Sequence, residues 1–278
     1  MIMSGDYSGG RFDHQAKRAS VQHPQYQLRY DFRSRRFDHR HIEFGMERSA
    51  YGIGVYTAPE AARMVGMGPK TLRRWLMGYD HGGNDGPTKH EPPLWTPQYD
   101  PHANDGVLLG FRDLIEARIV HALRDKRIGL PTIRICIDRA RKIIGQDHPF
   151  STSQFKTDGK SIFLEITRDL DEPELIDLKH QQGVFRRVVA PSLADLDFGP
   201  GGVERWWLLP GKKTIVADPD RSFGQPIVAE HGITTARLAQ AVAAEGSISS
   251  VAELFEIKPR LVRDALAYEA QLGLPKAA

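Results

Sequence analysis

Lys70, Arg73 and Arg74 are spaced i, i+3 and i+4 within Thr57–Met77 (TAPEAARMVGMGPKTLRRWLM). On a helix that spacing gathers three cations on one side, and Thr71 adds a hydroxyl among them. A guanidinium can donate bidentately to O6 and N7 of guanine, while lysine and threonine can hold phosphate oxygens. The chemistry such a face suits is contact with double-stranded DNA. Leu72, Trp75 and Leu76 fall on the opposite side at helical spacing, which gives the helix an apolar back to pack.

The elements that would position this face are written just upstream. Thr57 followed by Glu60 predicts a capping box, and Pro59 sits in the first turn, where its missing N–H does little harm. Ala61, Ala62 and Val65 form a small apolar face, Gly66 permits a left-handed turn, and Gly68-Pro69 opens the basic helix. A small residue at the crossing, a turn glycine four residues on and an apolar back to the second helix meet the requirements of a helix-turn-helix. The bland alternative is a helical hairpin with a solvated basic face.

Charge is unevenly distributed around this unit. Residues 1–50 carry nine Lys/Arg against six Asp/Glu, 111–146 nine against four, 147–210 seven against eleven, and 211–278 eight against eight. The basic blocks suit phosphate, and the acidic middle implies that DNA does not cover the whole molecule.

Enzyme chemistry finds little support. Asp169, Asp171, Glu172, Glu174 and Asp177 cluster in a loop-like stretch with Pro173, without the apolar framework that metal-nuclease carboxylates need. There is no Gly-x-Ser-x-Gly, no His-Glu-x-x-His and no dinucleotide loop, and Phe198–Gly202 lacks the Lys-Ser/Thr of a phosphate loop. His14, His23, His39, His41, His81, His90 and His102 have no zinc-ligand spacing. The single cysteine, Cys136, excludes an intrachain disulfide and reads as a core thiol beside Ile133, Ile137 and Ala140. We expect no catalytic residue, no metal and no cofactor.

Four segments are expected along the chain. Residues 1–50, polar and aperiodic, read as a basic disordered tail that could add phosphate contacts; alternatively the true start is Met46. Residues 51–146 hold the helix-turn-helix, an irregular Gly78–Gly106 stretch suited to a wing of two short strands, and helices over 111–128, ended by Gly129, and 131–144, ended by Gly145. Residues 147–210 are expected to be β-rich: a hairpin over Phe155–Leu164 turning at Asp158-Gly159, then strands at Val184–Val189 and Val203–Leu209. The last of these puts Trp206 and Trp207 on opposite faces, one for the core and one free to anchor a partner. Residues 211–278 end in three short helices, 236–244, 251–255 and one opened by Pro259. The last two form a second helix-turn-helix candidate, with Glu256 at the turn, facing either DNA or protein. The fold class is mainly α with a small β element. With no apolar run near the ~18 residues of a membrane span and no N-terminal secretory signal, a cytoplasmic, nucleoid-associated location is expected.

Two resemblances cover most of residues 52–270. Thr57–Leu76, then Leu108-Leu109-Gly110-Phe111-Arg112-Asp113-Leu114, then two helices split by Lys126–Leu130, resemble the MerR-like winged helix-turn-helix. The chain departs from that family in Phe111, where tyrosine is usual, in a long insert over 79–105, and in having no long dimerisation helix with an effector domain. By this resemblance Arg112 joins Lys70, Thr71, Arg73 and Arg74 as a DNA-binding residue. Ile215-Val216, Asp218-Pro219, Gly224-Gln225-Pro226-Ile227-Val228 and Gly232-Ile233-Thr234-Thr235, with the helices to Tyr268, resemble a domain of VapB-like antitoxins. That domain is of unknown function and occurs in toxin–antitoxin loci; Ile233-Thr234-Thr235 stands where it often has arginine. Together the two are similar to a longer antitoxin type, implying a homodimer that autorepresses its operon and neutralises a PIN-like nuclease toxin, with Trp206, Trp207, Pro226 and Ile227 as candidate partner anchors. A free-standing MerR-like regulator with a C-terminal dimerisation or ligand domain is the second reading, and a DNA-associated structural or phage-related adaptor the third.

Overall fold

The computed structural model describes residues 19–23, 26–31, 36–37, 52–82, 88–101, 106–166 and 185–273. Strands β1 (Ala19–His23), β2 (Tyr26–Asp31) and β3 (Arg36–Phe37) pair antiparallel in that order. Strand β4 (Tyr56–Thr57) leads into α1 (Ala58–Val65) and α2 (Pro69–Met77). An antiparallel pair follows, β5 (Tyr79–His81) with β6 (Lys89–Glu91), and β7 (Leu108–Leu109) returns beside β4. Next come α3 (Phe111–Asp125), α4 (Leu130–Ile144) and α5 (Ser153–Ile166), then a π-helical turn, Phe185–Val189, running into α6 (Ala190–Leu193). Strands β8 (Leu196–Gly199), β9 (Gly202–Leu209), β10 (Lys212–Ala217) and β11 (Ile227–Val228) form an antiparallel sheet in the order β11-β10-β9-β8. Helices α7 (Thr235–Glu245), α8 (Ile248–Leu254) and α9 (Pro259–Gly273) close the chain. The protein is mainly helical with small sheets, and among the described residues no helix is long and apolar enough to cross a membrane.

Helix α3 is the axis of the core. Phe111, Leu114, Ile115, Ala117, Ile119, Val120 and Leu123 are all buried, and so are Asp113 and Glu116. One apolar cluster runs from Tyr56 and the back of α2 through α3, α4 and the β8–β10 sheet to Tyr268 of α9. Cys136 lies inside it, and burial pushes its thiol up to about 12, which keeps it protonated and unreactive.

Several local expectations give way to tertiary packing. Phe155–Leu164 is helical, within α5, with no hairpin at Asp158-Gly159. Phe155, Gly159 and Ile162 are buried at i, i+4 and i+7, while Lys156, Thr157, Asp158 and Lys160 are exposed. Helical burial of that face, opened by Thr152 Oγ1 accepting from the Phe155 amide (3.1 Å), overrides the turn preference of Asp-Gly. Val188 and Val189 are adjacent and both buried, which a one-sided strand cannot arrange, and the segment is a π-helical turn. Helix α3 stops at Lys126, with Arg127 left-handed (φ 63°); Gly129 precedes α4 as its N-cap. In the N-terminal segment Tyr26-Gln27-Leu28-Arg29-Tyr30 alternates apolar and polar residues, and that short run pairs as β2 where disorder was expected. Met46 and the acidic run 169–177 lie outside the described residues.

A turn after β10 ties the C-terminal sheet region to β4, just ahead of α1. Ser222, Phe223 and Gly224 are all left-handed (φ 48°, 55° and 80°). The turn accepts the Val55 amide at Phe223 O (3.0 Å) and the Tyr56 hydroxyl at Gly224 O (2.7 Å). Burial holds the Tyr56 phenol well above its usual pKa, so it stays a donor. A Cβ at residue 224 would collide with Tyr56 Oη. Gly224→Ala therefore combines left-handed strain with overpacking and should lower stability by about 2–3 kcal/mol. Urea denaturation monitored by circular dichroism measures this, and an unchanged midpoint would show that the turn bears no load.

Glu116 gives a pH-dependent expectation. Its Oε1 accepts from the Ser151 amide (3.1 Å), whereas Oε2 has no hydrogen-bond partner among the described residues. Burial raises its carboxyl well above 4.5. The folded state thus binds this proton more tightly than the unfolded chain, and its stabilising contribution, complete below 4.5, is lost as pH rises toward the folded-state value. Glu116→Gln removes that slope, so its stability should rise relative to wild type by up to about 1.4 kcal/mol per pH unit within that window. Denaturation midpoints from pH 4 to 8 test it; parallel profiles would mean that Glu116 is ionised in the folded protein.

Candidate nucleic-acid interface

Two caps and a turn set the basic helix. Thr57 Oγ1 accepts from the Glu60 amide (3.4 Å) and the Glu60 carboxylate accepts from the Thr57 amide (2.9 Å), closing the capping box that starts α1. Gly66 is left-handed (φ 85°), and the Met67 amide donates to Ala62 O (2.8 Å), which turns the chain into Gly68-Pro69 and α2. Leu72, Trp75 and Leu76 are buried, and Lys70, Thr71, Arg73 and Arg74 are all exposed on the other side. The structure brings these four sequence-predicted residues onto one face.

The β5–β6 pair stands beside that face. Arg74 places its guanidinium 5.4 Å from the Tyr79 ring, which joins the helix to the first residue of β5. Tyr79, Asp80 and His81 pair with Glu91, His90 and Lys89, and His90 Nδ1 lies 2.7 Å from Asp80 Oδ1. His81, Lys89 and His90 are exposed beside Asp80, and Lys89 Nζ pairs with Glu91 Oε1 (3.2 Å), so the surface that extends from α2 along the hairpin is polar and mixed in charge. His81 and His90, loop-like in sequence, are strand residues here, paired with Lys89 and Asp80.

Arg112 is placed differently. It is half-buried, and its Nη2 donates to Gly201 O (2.7 Å) in the β8–β9 turn, so it is a strut between α3 and the sheet and does not join the α2 face. Its backbone amide donates to Gln98 Oε1 (2.8 Å).

Asp113, one residue on, has a role that the sequence does not display. Its buried carboxylate accepts four hydrogen bonds: from Trp95 Nε1 (2.9 Å), the Gln98 amide (3.0 Å), the Gly110 amide (2.9 Å) and His148 Nε2 (2.8 Å). This pins Leu94–Tyr99, in the connection between β6 and β7, to the start of α3, and the Leu94 amide in turn donates to Trp75 O in α2 (2.8 Å). The one sequence signal was an acid three residues after Gly110 at a helix start.

The candidate partner anchors separate as well. Trp206 is buried, with the Arg118 guanidinium 4.6 Å from its ring. Pro226 and Ile227 are interior: Ile227 pairs with Val216 and Pro226 O accepts the Thr235 amide (2.9 Å), so neither offers a surface. Trp207 is half-buried, donating from Nε1 to Asp197 (2.8 Å) with Lys213 Nζ 5.3 Å from its ring, and is the one of the four candidates that reaches the surface.

Residues 54–137 match the family model described as "Putative DNA-binding HTH domain", and residues 215–268 match "Protein of unknown function (DUF433)". A protein named "Putative antitoxin VapB45" from Mycobacterium tuberculosis (strain ATCC 25618 / H37Rv) is 26% identical over 226 residues, covering 78% of this chain and 94% of that protein. The crystal structure of Rv2018 from Mycobacterium tuberculosis superposes with a TM-score of 0.60 at 23% identity, over 78% of this chain and 99% of that one. The chain thus shares a fold with that structure, and a segment that matches a helix-turn-helix model precedes one that matches the DUF433 model.

Proposed function

We propose that this chain is the DNA-binding antitoxin of a type II toxin–antitoxin pair, without catalysis of its own, which represses its operon as a homodimer and neutralises a PIN-like nuclease. The observation that carries the reading is the α2 face: Lys70, Thr71, Arg73 and Arg74 exposed over a buried Leu72-Trp75-Leu76 back, inside the segment matching a DNA-binding domain. In the MerR-like manner, α2 enters the major groove of the operator and the β5–β6 hairpin lies against the neighbouring backbone as a wing. The antitoxin assignment is supported by the name of the relative that spans 78% of the chain. The toxin docks on the sheet around Trp207, where an aromatic over a polar rim is a fitting anchor. The protein works in the cytoplasm, at the nucleoid.

Co-expression with the product of the adjacent reading frame tests the whole reading. The pair is expected to co-purify, and growth inhibited by that product alone should be restored. If the full chain neither co-purifies nor restores growth, while still shifting DNA from its own upstream region, the protein is a free-standing regulator.

A further inference from the structure

The C-terminal half contains a second unit built on the plan of α1–α2. Ser247 caps α8 by accepting the Ser250 amide at Oγ (3.3 Å), as Thr57 caps α1 with the Glu60 amide. Val251 and Ala252 are buried as Ala61 and Ala62 are. At the turn, Glu256 is left-handed (φ 55°) where Gly66 is (φ 85°), and the Ile257 amide donates to Ala252 O (2.9 Å) as Met67 does to Ala62 O (2.8 Å). Pro259 then opens α9 as Pro69 opens α2. Val262, Ala265 and Leu266 stand in the places of Leu72, Trp75 and Leu76, the first two fully buried and Leu266 partly. Arg260 and Arg263 stand, exposed, in the places of Lys70 and Arg73. A left-handed glutamate is costly, so the packing on either side of the turn holds Glu256 in that geometry.

Exposed cations outnumber exposed acids at this turn, three (Lys258, Arg260 and Arg263) to two (Glu253 and Glu256). Lys258, Arg260 and Arg263 are exposed at the leading end of α9. Asp264, in the position of Arg74, is held by Lys212 Nζ at 2.7 Å, so its charge is matched from β10. Beyond this end, α9 packs its inner side on α1, within the same apolar core. Helices α2 and α9 are therefore parts of one body.

We propose that α8–α9 is a second DNA-contacting helix-turn-helix, with Lys258, Arg260 and Arg263 on phosphates flanking the site read by α2. The proposal rests on the DNA reading of α2 given above. Phosphate contacts carry no sequence information and add to the salt dependence of binding. Arg260→Ala/Arg263→Ala should therefore weaken binding to the protein's own upstream duplex and to a random duplex by a similar factor. It should reduce the slope of log K against log salt by about 2, and leave the melting temperature in place.

Band shifts at several salt concentrations, with the full-length chain and Arg73→Ala/Arg74→Ala in parallel, decide the matter. A slope and affinity equal to wild type in the α9 variant, with loss in the α2 variant, overturns the second contact alone. Should that α9 variant instead lose co-purification with the neighbouring gene product, the face belongs to the protein partner. Wild-type binding by both variants removes the DNA reading along with it.

Discussion

Asp113→Ala is expected to destabilise the protein by about 3–5 kcal/mol, the scale on which breaking a buried, hydrogen-bonded charge is felt. The carboxylate is fully buried, and its removal leaves the indole N–H of Trp95, the amides of Gln98 and Gly110 and the imidazole of His148 without their acceptor. Each stranded donor costs about 1–3 kcal/mol, relieved in part by any water that enters. Asp113→Asn is the informative companion, because it keeps the volume but turns an N–H₂ toward groups that are themselves donors. Its loss should fall short of alanine's but remain easily measurable. Denaturant midpoints at constant m read the effect. Because Leu94–Tyr99 both receives this anchor and donates to Trp75 O, DNA affinity should fall in parallel with stability. A midpoint within experimental error of wild type for both variants would mean that the four donors find other partners at no cost.

What could be read from the sequence divides along a physical line. The α1–α2 unit was legible because every feature is local: a cap at Thr57, a turn glycine at 66, Pro69 at the next helix start, and apolar residues at helical spacing. The C-terminal helices were legible for the same reason, through Thr234, Gly246 and Pro259. Segment 153–166 was not, since its turn-like Asp-Gly is outvoted by burial of Phe155, Gly159 and Ile162, a contact that depends on what lies opposite. The four-donor site at Asp113 joins residues from Trp95 to His148, and no window along the chain contains it. Arg112 shows the same limit among the residues expected to bind DNA. Its position beside a wing-like run suggested DNA, but Gly201, far along the chain, claims its guanidinium. The residues of α2 escape this ambiguity because their orientation is fixed by the three apolar neighbours they alternate with.

That orientation makes Arg73→Ala/Arg74→Ala the decisive change for binding. An arginine bidentate to a guanine contributes about 1–3 kcal/mol of discrimination, so losing two should weaken DNA binding by about 2–6 kcal/mol. The two need not be equal. Arg74 is pre-positioned by the Tyr79 ring at 5.4 Å, so less side-chain freedom is lost when it meets DNA. Tyr79→Ala should accordingly weaken binding while leaving the helix face chemically intact, by less than Arg74→Ala does. Neither arginine is buried, and neither contributes to the apolar back of α2, so the double variant should melt with wild type. Titration against the protein's own upstream duplex and a random duplex separates roles: a base-reading arginine loses more on the first, a phosphate-bound one equally on both. Undiminished binding by a folded double variant would take α2 out of the interface and leave its basic face as a solvated surface.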